Sequence, residues 1–214
     1  QNKEVRAILI TASGKAFCAG QDLAEAIDPS IPSISKIIQE HYNPIIRKIR
    51  TIEKPVVAAV NGVAAGAGAS VALACDIVVA TESASFIQAF SKIGLIPDSG
   101  ATFFLPRYVG MQKAAALMMT AEPVNAKDAE QMGMIYKAFS DEVFETESWK
   151  LVSKLAQMPT KGLGLTKRLL NSSNTNNLEE QLNMEDKCQV IAANTADFKE
   201  GVQAFLEKRK ANFK

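Results

Sequence analysis

The stretch that decides the fold is residues 54–81, "KPVVAAVNGVAAGAGASVALACDIVVAT". Two short apolar runs rich in β-branched residues, "PVVAAVN" (55–61) and "CDIVVAT" (75–81), enclose a segment of almost nothing but glycine and alanine. Continuous apolar runs of this length, bounded by turn residues, predict strands buried on both faces, and the small residues between them predict a helix packed tightly on those strands. Gly62, Gly66 and Gly68 do not form GxGxxG, and the aspartate that a dinucleotide site needs at the end of the next strand is absent. What glycines at a strand-to-helix junction do provide is close approach to the first helical N–H groups, which have no partner inside the helix. The segment is therefore either an oxyanion site or simply a tight helix–strand contact.

Outward from this centre, "VRAILIT" (5–11) reads as a third strand of the same kind, and "SASFIQ" (83–88) and "MIYKAF" (134–139) as weaker ones. Ile34, Ile37, Ile38, Tyr42, Ile45, Ile46 and Ile49 recur at three- and four-residue steps, which predicts one apolar helical face interrupted at Pro44. Beyond residue 110 come helices: "MQKAAALMMT", "NAKDAEQM", "TESWKLVSKLAQM", "TKGLGLTKRLLNSS", "NNLEEQLNMEDKCQVIAAN" and "TADFKEGVQAFLEKR", several opening on Thr or Asn caps. The expected organisation is an α/β core over 1–145 and a helical region over 146–214 that packs on the core and on neighbouring subunits. Residues 24–35, with two prolines and three serines, read as a loop over a site.

The bulk properties narrow the function. A formal net charge of +1 offers no field that draws the chain to nucleic acid or to an anionic membrane, and no run of some 18 apolar residues predicts a membrane span. His41 is the only histidine, so a site of several imidazoles is excluded and no metal centre is expected. Cys18, Cys75 and Cys188 are odd in number and widely spaced, and read as buried thiols of a reducing compartment, the cytoplasm. The opening "QNKEVRAILIT" has no methionine and enters a strand at once, which suggests a chain whose natural start is missing.

Two further segments carry candidate chemistry. In "SGKAFCAGQDL" (13–23), Gly20 before Gln21 and Asp22 turns the chain, with Asp22 set to cap the next helix. In "IPDSG" (96–100), Asp98 stands among Ile93, Leu95, Ile96, Phe103 and Phe104. It is either a turn or N-cap aspartate, or a desolvated acid whose raised pKa suits it to move a proton to and from carbon.

Taken together, "GKAFCAGQDL", "NGVAAGAGASVALACDIVVAT", "FSKIGLIPDSGATFFLPRYVG", "AKDAEQMGMI" and "GVQAFLEKR" resemble the crotonase (enoyl-CoA hydratase/isomerase) superfamily over essentially the whole chain. The resemblance implies a spiral of ββα units with a helical C-terminal trimerisation region. It also implies an acyl-CoA thioester as substrate, with its carbonyl held by the backbone N–H groups of Gln21 and Ala67, and assembly as a homo-trimer or dimer of trimers. No cofactor is implied, since coenzyme A is part of the substrate. Substrate-binding positions implied around this site are Lys15, Phe17, Ala19, Asp22, Gly68, Ser70 and Phe90.

Hydratases of the superfamily carry two glutamates that activate water. At those two positions this sequence carries Ser70 and Phe90, and it places a carboxylate at Asp98, where hydratases usually have glycine. That pattern resembles the isomerase branch, which acts on ring-epoxide phenylacetyl thioesters and on 3-enoyl thioesters, and it implies that Asp98 is the catalytic acid/base. Phe17, Phe86, Phe90, Phe103 and Phe104 are expected as apolar walls or as plain core, and Lys15, Lys208 and Arg209 as groups able to meet CoA phosphates or solvent. A hydratase and a non-catalytic acyl-CoA-binding subunit are the alternatives; RNA binding is disfavoured by the charge balance.

Overall fold

The structure is a computed structural model that describes residue 2 and residues 4–26 and 33–214. Half of the expected loop over 24–35, residues 27–32, lies outside the described residues. Among the described residues eight strands form two sheets: β1 (Ile8–Ile10), β3 (Val56–Val60), β5 (Ile77–Thr81) and β8 (Lys137–Phe139) in the order β1-β3-β5-β8, and β2 (Ala16–Cys18), β4 (Val63–Ala65), β6 (Ser85–Ile87) and β7 (Val124–Asn125) in the order β2-β4-β6-β7. From β1 to β6 consecutive strands alternate between the sheets, so each of these three ββ pairs gives one strand to each sheet before the chain turns into a helix; β7 then adds antiparallel to β6 in the same sheet, and α7 separates it from β8. This is the expected α/β spiral of ββα units.

Burial explains which strands were legible. Every residue of β3 and all but the first of β5 are buried, and the two pair in parallel register from Val57↔Ile77 to Val60↔Ala80. Asp76 closes this pair at its start: its carboxylate accepts the Val56 N–H at 2.8 Å, while its own N–H donates to the Val56 carbonyl at 2.9 Å. β1, expected to be buried on both faces, is only half-buried throughout. β2, β4 and β7 were not foreseen. Each has two or three residues, too few for a periodic signal, and β2 and β4 are held by close backbone approach and not by large side chains.

That approach is made at the glycines. A Cβ on Gly62 would stand 2.2 Å from the Lys15 carbonyl oxygen, and one on Gly68 would stand 2.2 Å from that of Cys18. The first contact lets the β3–β4 turn lie on β2, and the second lets α4 (Ala67–Leu73) lie on the end of β2. Contrary to the sequence expectation, the Gly/Ala segment does not run from β3 straight into the helix but passes through β4, in the other sheet. The Gly20–Asp22 turn leaves β2.

The remaining helices are α1 (Leu23–Ala26), α2 (Ile34–Ile37), α3 (Asn43–Thr51), α5 (Ala101–Val109), α6 (Met111–Thr120), α7 (Ala126–Gln131), α8 (Phe144–Ala156), α9 (Thr160–Ser172), α10 (Leu178–Ala193) and α11 (Ala196–Leu206). The expected interruption at Pro44 takes the form of a π turn over Ile38–Tyr42 joining α2 to α3. In α geometry the proline ring would crowd the Glu40 carbonyl, and the wider turn ends directly before it. Thr and Asn caps close α7, α10 and α11 through Asn125, Asn177 and Thr195, with a reciprocal capping box at Asn177 and Glu180. The expected thiols Cys75 and Cys188 are buried, whereas Cys18, expected buried as well, is half-exposed at the C-terminal end of β2.

Two compact units result: Leu9–Ile49 with Val56–Ser148, and Gln1–Ile8 with Arg50–Pro55 and Trp149–Lys214. The first unit contains both sheets almost entirely. In the second, the 50–55 turn is tied to α9: Asn171 bonds the Arg50 carbonyl and side chain, and Glu53 pairs with Lys161 and Arg168. A Cβ on Gly164 would stand 2.7 Å from the Glu53 carbonyl oxygen, so α9 lies on this turn by the same kind of close approach.

These contacts give a paired expectation for the glycines. Gly68→Ala drives a side-chain atom into backbone that cannot yield cheaply, and is expected to cost at least about 1–3 kcal/mol, as overpacking does. Gly162→Ala in α9, whose nearest neighbour would be Pro159 at 3.8 Å, is expected to be neutral or to stabilise by up to about 1 kcal/mol through helix propensity. Urea unfolding midpoints of the two variants check both signs.

Candidate active site

β2, β4 and β6 run parallel, pairing Ala16↔Val63 and Cys18↔Ala64 on one side of β4 and Val63↔Ser85 through Ala65↔Ile87 on the other. Their C-terminal ends therefore point the same way, and the residues that leave them meet. Ala19, Gly20 and Gln21 leave β2; Gly66 and Ala67 leave β4; Ala89 and Phe90 leave β6. All seven line one cavity of about 360 Å³.

The glycine turns set the geometry at this mouth. Gly20 has φ +92, and a Cβ there would stand 3.2 Å from the Ala65 carbonyl oxygen and 3.5 Å from the Ala67 nitrogen. Only glycine satisfies both the left-handed φ and the contact, and the Gln21 turn is thereby held against the Ala67 turn. Gly66 precedes α4 and donates its N–H to the Ile87 carbonyl at 2.9 Å, which ties the β4 exit to the β6 exit. Ala67 is then the first residue of α4, where helix geometry supplies no acceptor for the N–H and the helix dipole favours negative charge.

Opposite these turns the wall is apolar. Ile34, Ile37, Ile38 and Tyr42 from α2 and the π turn, and Ile93, Leu95 and Ile96 from the 93–98 segment, line the cavity together with Leu23. The isoleucine stripe, expected as one apolar helical face, is thus partly cavity wall, with Ile34 44% exposed and Ile37 7% exposed. Tyr42 and Lys92 also face the cavity and were not foreseen as site residues; Tyr42 was visible only as a member of the helical stripe.

Asp98 is the only carboxylate among the described lining residues. It belongs to a turn as well as to the cavity: its carbonyl accepts the Ala101 N–H at 2.9 Å as α5 begins, while the N-cap of α5 is Gly100 and not the Asp98 side chain. Ser99, at φ 52, and Gly100, at φ 80, turn the chain through two successive left-handed residues. Buried Ser99 donates its hydroxyl to Asp98 Oδ1 at 2.9 Å. Burial pushes the Asp98 carboxyl above the ordinary aspartate value, and the Ser99 hydroxyl partly offsets this.

The other expected site residues divide plainly. Gln21, Ala67, Asp98, Ala19 and Phe90 are brought together around the cavity. Lys15, Phe17, Asp22, Gly68 and Ser70 do not line it. Lys15 is exposed; Phe17 is buried core on β2; Asp22 accepts the Ala24 N–H at 2.9 Å as the cap of α1. Gly68 is taken up by its contact with Cys18, and Ser70 is fully buried with its hydroxyl on the Gly66 carbonyl at 3.2 Å. Of the five phenylalanines expected as walls, Phe90 alone lines the cavity; its ring tip lies 3.9 Å from the Cβ position of Gly66. Phe86 and Phe104 are core, and the exposed Phe103 stacks under Arg107. Among the described residues no cluster of three or more His, Cys, Asp or Glu side chains is arranged to hold a metal, and no helix is long and apolar enough to cross a membrane.

Comparison with known proteins agrees with this architecture. The 1,2-epoxyphenylacetyl-CoA isomerase of Escherichia coli (strain K12) is 45% identical over 212 residues, covering 98% of this chain and 81% of that protein. A protein of Rhodobacter capsulatus described as "Probable enoyl-CoA hydratase" is 44% identical over 210 residues with the same coverage. Among solved structures, an enoyl-CoA hydratase from Polaromonas sp. JS666 superposes with a TM-score of 0.93 at 34% identity, covering 100% of this chain and 84% of that one. The family described as Enoyl-CoA hydratase/isomerase matches residues 1–214, and the chain belongs to it.

Proposed function

We propose that the chain is an isomerase of acyl-CoA thioesters that moves a double bond by proton transfer alpha to the thioester. The observation that carries this reading is the placement of one half-buried carboxylate, Asp98, in the lining of a largely apolar cavity that the Gln21 and Ala67 turns also line. The Asp98 carboxylate takes a proton from the carbon alpha to the thioester; the electron pair delocalises onto the carbonyl oxygen, where the Gln21 and Ala67 N–H groups hold the enolate. Asp98, now protonated, returns the proton at the far end of the conjugated system. Atoms balance without water or cofactor, so one acid/base suffices.

The substrate in this proposal is ring-1,2-epoxyphenylacetyl-CoA, whose conversion to oxepin-CoA in phenylacetate catabolism adds to the proton transfer the opening of the C–C bond shared by the epoxide and the six-membered ring; conversion of 3-enoyl-CoA to 2-enoyl-CoA is the proton transfer alone. The similarity to the E. coli isomerase supports the aromatic assignment, and the aliphatic and aromatic cavity wall suits either acyl group. Hydration is the nearest alternative. It needs a second carboxylate to activate water, and the two positions that would carry one hold Phe90, which covers Gly66, and Ser70, which is buried within α4. Assembly as a homo-trimer or dimer of trimers belongs to the same reading, supported by Leu178, Phe198, Phe205 and Leu206, each more than half exposed on the C-terminal helices. A cytoplasmic location accords with the three free thiols.

Four outcomes are expected. Asp98→Asn lowers 3-enoyl-CoA isomerisation by about 100- to 10,000-fold; retention of full activity, or an absence of alpha-proton exchange in deuterated water by the unaltered protein, rejects the acid/base role. Because the folded carboxyl is the more readily protonated, its ionisation opposes folding as pH rises past the unfolded aspartate value, so the same substitution leaves the melting temperature at pH 7 unchanged or higher. The kcat/KM profile falls on the acid side with a midpoint above that of an ordinary aspartate, since Asp98 must start ionised, and the limb disappears in Asp98→Asn. Hydration of crotonyl-CoA, followed by loss of the enoyl absorbance, is expected to be negligible beside isomerisation.

A further inference from the structure

We propose that Tyr42 is a positioning residue for the oxyanion turn: its hydroxyl holds the Gln21 side chain and thereby fixes the direction of the Gln21 backbone N–H. The inference rests on the isomerase reading above and adds to it a control of the first of the two donors. Tyr42 Oη donates to Gln21 Oε1 at 3.3 Å, and both residues face the cavity.

Each end of this bond has a structural reason. Gln21 follows Gly20, which is held against Ala65 and Ala67 but, having no side chain, leaves its own backbone torsions the freedom to vary just where the donor is needed. A second anchor beyond the glycine removes that freedom. The anchor is brought in by the π turn. There the Asn43 N–H bonds the Ile38 carbonyl, five residues back, so each residue advances less around the axis than in an α-helix. Tyr42 consequently falls back over Ile38, onto the face that lines the cavity with Ile34 and Ile37, where an uninterrupted α-helix would carry it further round. Local π turns cost helix stability and recur at functional sites; here the turn delivers a hydroxyl to a wall that is otherwise isoleucine.

Tyr42→Phe keeps the ring in the wall and removes only the hydroxyl. Steady-state isomerisation of a 3-enoyl-CoA is expected to lose about 3- to 10-fold in kcat, the worth of one neutral hydrogen bond, with KM changed by less than about twofold and the melting temperature little altered. The decisive readout is the thioester carbonyl stretch of bound phenylacetyl-CoA, measured by isotope-edited infrared difference spectroscopy. It reports polarisation by the oxyanion donors whether or not chemistry follows. In Tyr42→Phe the band moves back toward its position in water; Gln21→Ala does the same, and the double variant is no worse than Gln21→Ala. An unshifted band in Tyr42→Phe, or losses from the two substitutions that multiply, overturns the positioning role. Full isomerase activity in Asp98→Asn with a shifted band in Tyr42→Phe rejects the proton-transfer reading but keeps the positioning role, and a failure to bind phenylacetyl-CoA rejects both.

Discussion

Everything at the cavity depends on how closely α4 lies on β2. A Cβ at Gly68 would overlap the Cys18 carbonyl, so the helix axis sits nearer the strand than any side chain permits. This contact puts the N-terminus of α4 level with the end of β2, and the Gly20–Ala67 contact then brings the two exits together. Apolar burial drives the sheets together, but it is non-directional and does not by itself choose this depth. The absence of two methyl groups does.

The opposite side of the cavity is built on a different compromise. Asp98 closes a turn through its carbonyl and faces the cavity with its carboxyl, so the choice between a turn residue and a chemical group was a false one. Placing a carboxylate among isoleucines costs stability, and the Ser99 hydroxyl returns only part of it. Ser99 is held at φ 52 to do so, a conformation that few non-glycine residues adopt. A left-handed non-glycine residue and a half-buried acid thus share one turn, a pairing of the kind that clusters at functional sites.

The legible parts of the chain were those with long-range regularity. β3 and β5 announce themselves because burial on both faces demands unbroken apolar runs, and the C-terminal helices because caps and a 3.6-residue period recur over ten or more residues. β2, β4 and β7 left no such trace, being two or three residues long and held by neighbours distant in sequence. The same limit explains the site. Asp98, Gln21 and Ala67 carried a motif signal and do line the cavity, whereas Tyr42 read as one more apolar-face residue and Lys92 carried no signal. Gly68 and Ser70 sit in the motif and yet serve α4 itself.

By itself the sequence determined the α/β class, the helical C-terminal region and the family resemblance, because these depend on composition, period and local pattern; that Ser70 and Phe90 stand at the two hydratase glutamate positions is what the resemblance implies. Only the tertiary structure decided that three parallel strand ends converge on one cavity, that half of an isoleucine stripe is its wall, and that Tyr42 reaches Gln21. Those are distances between segments remote along the chain, set by close packing and by one extra residue in a helical turn, and no local pattern encodes them.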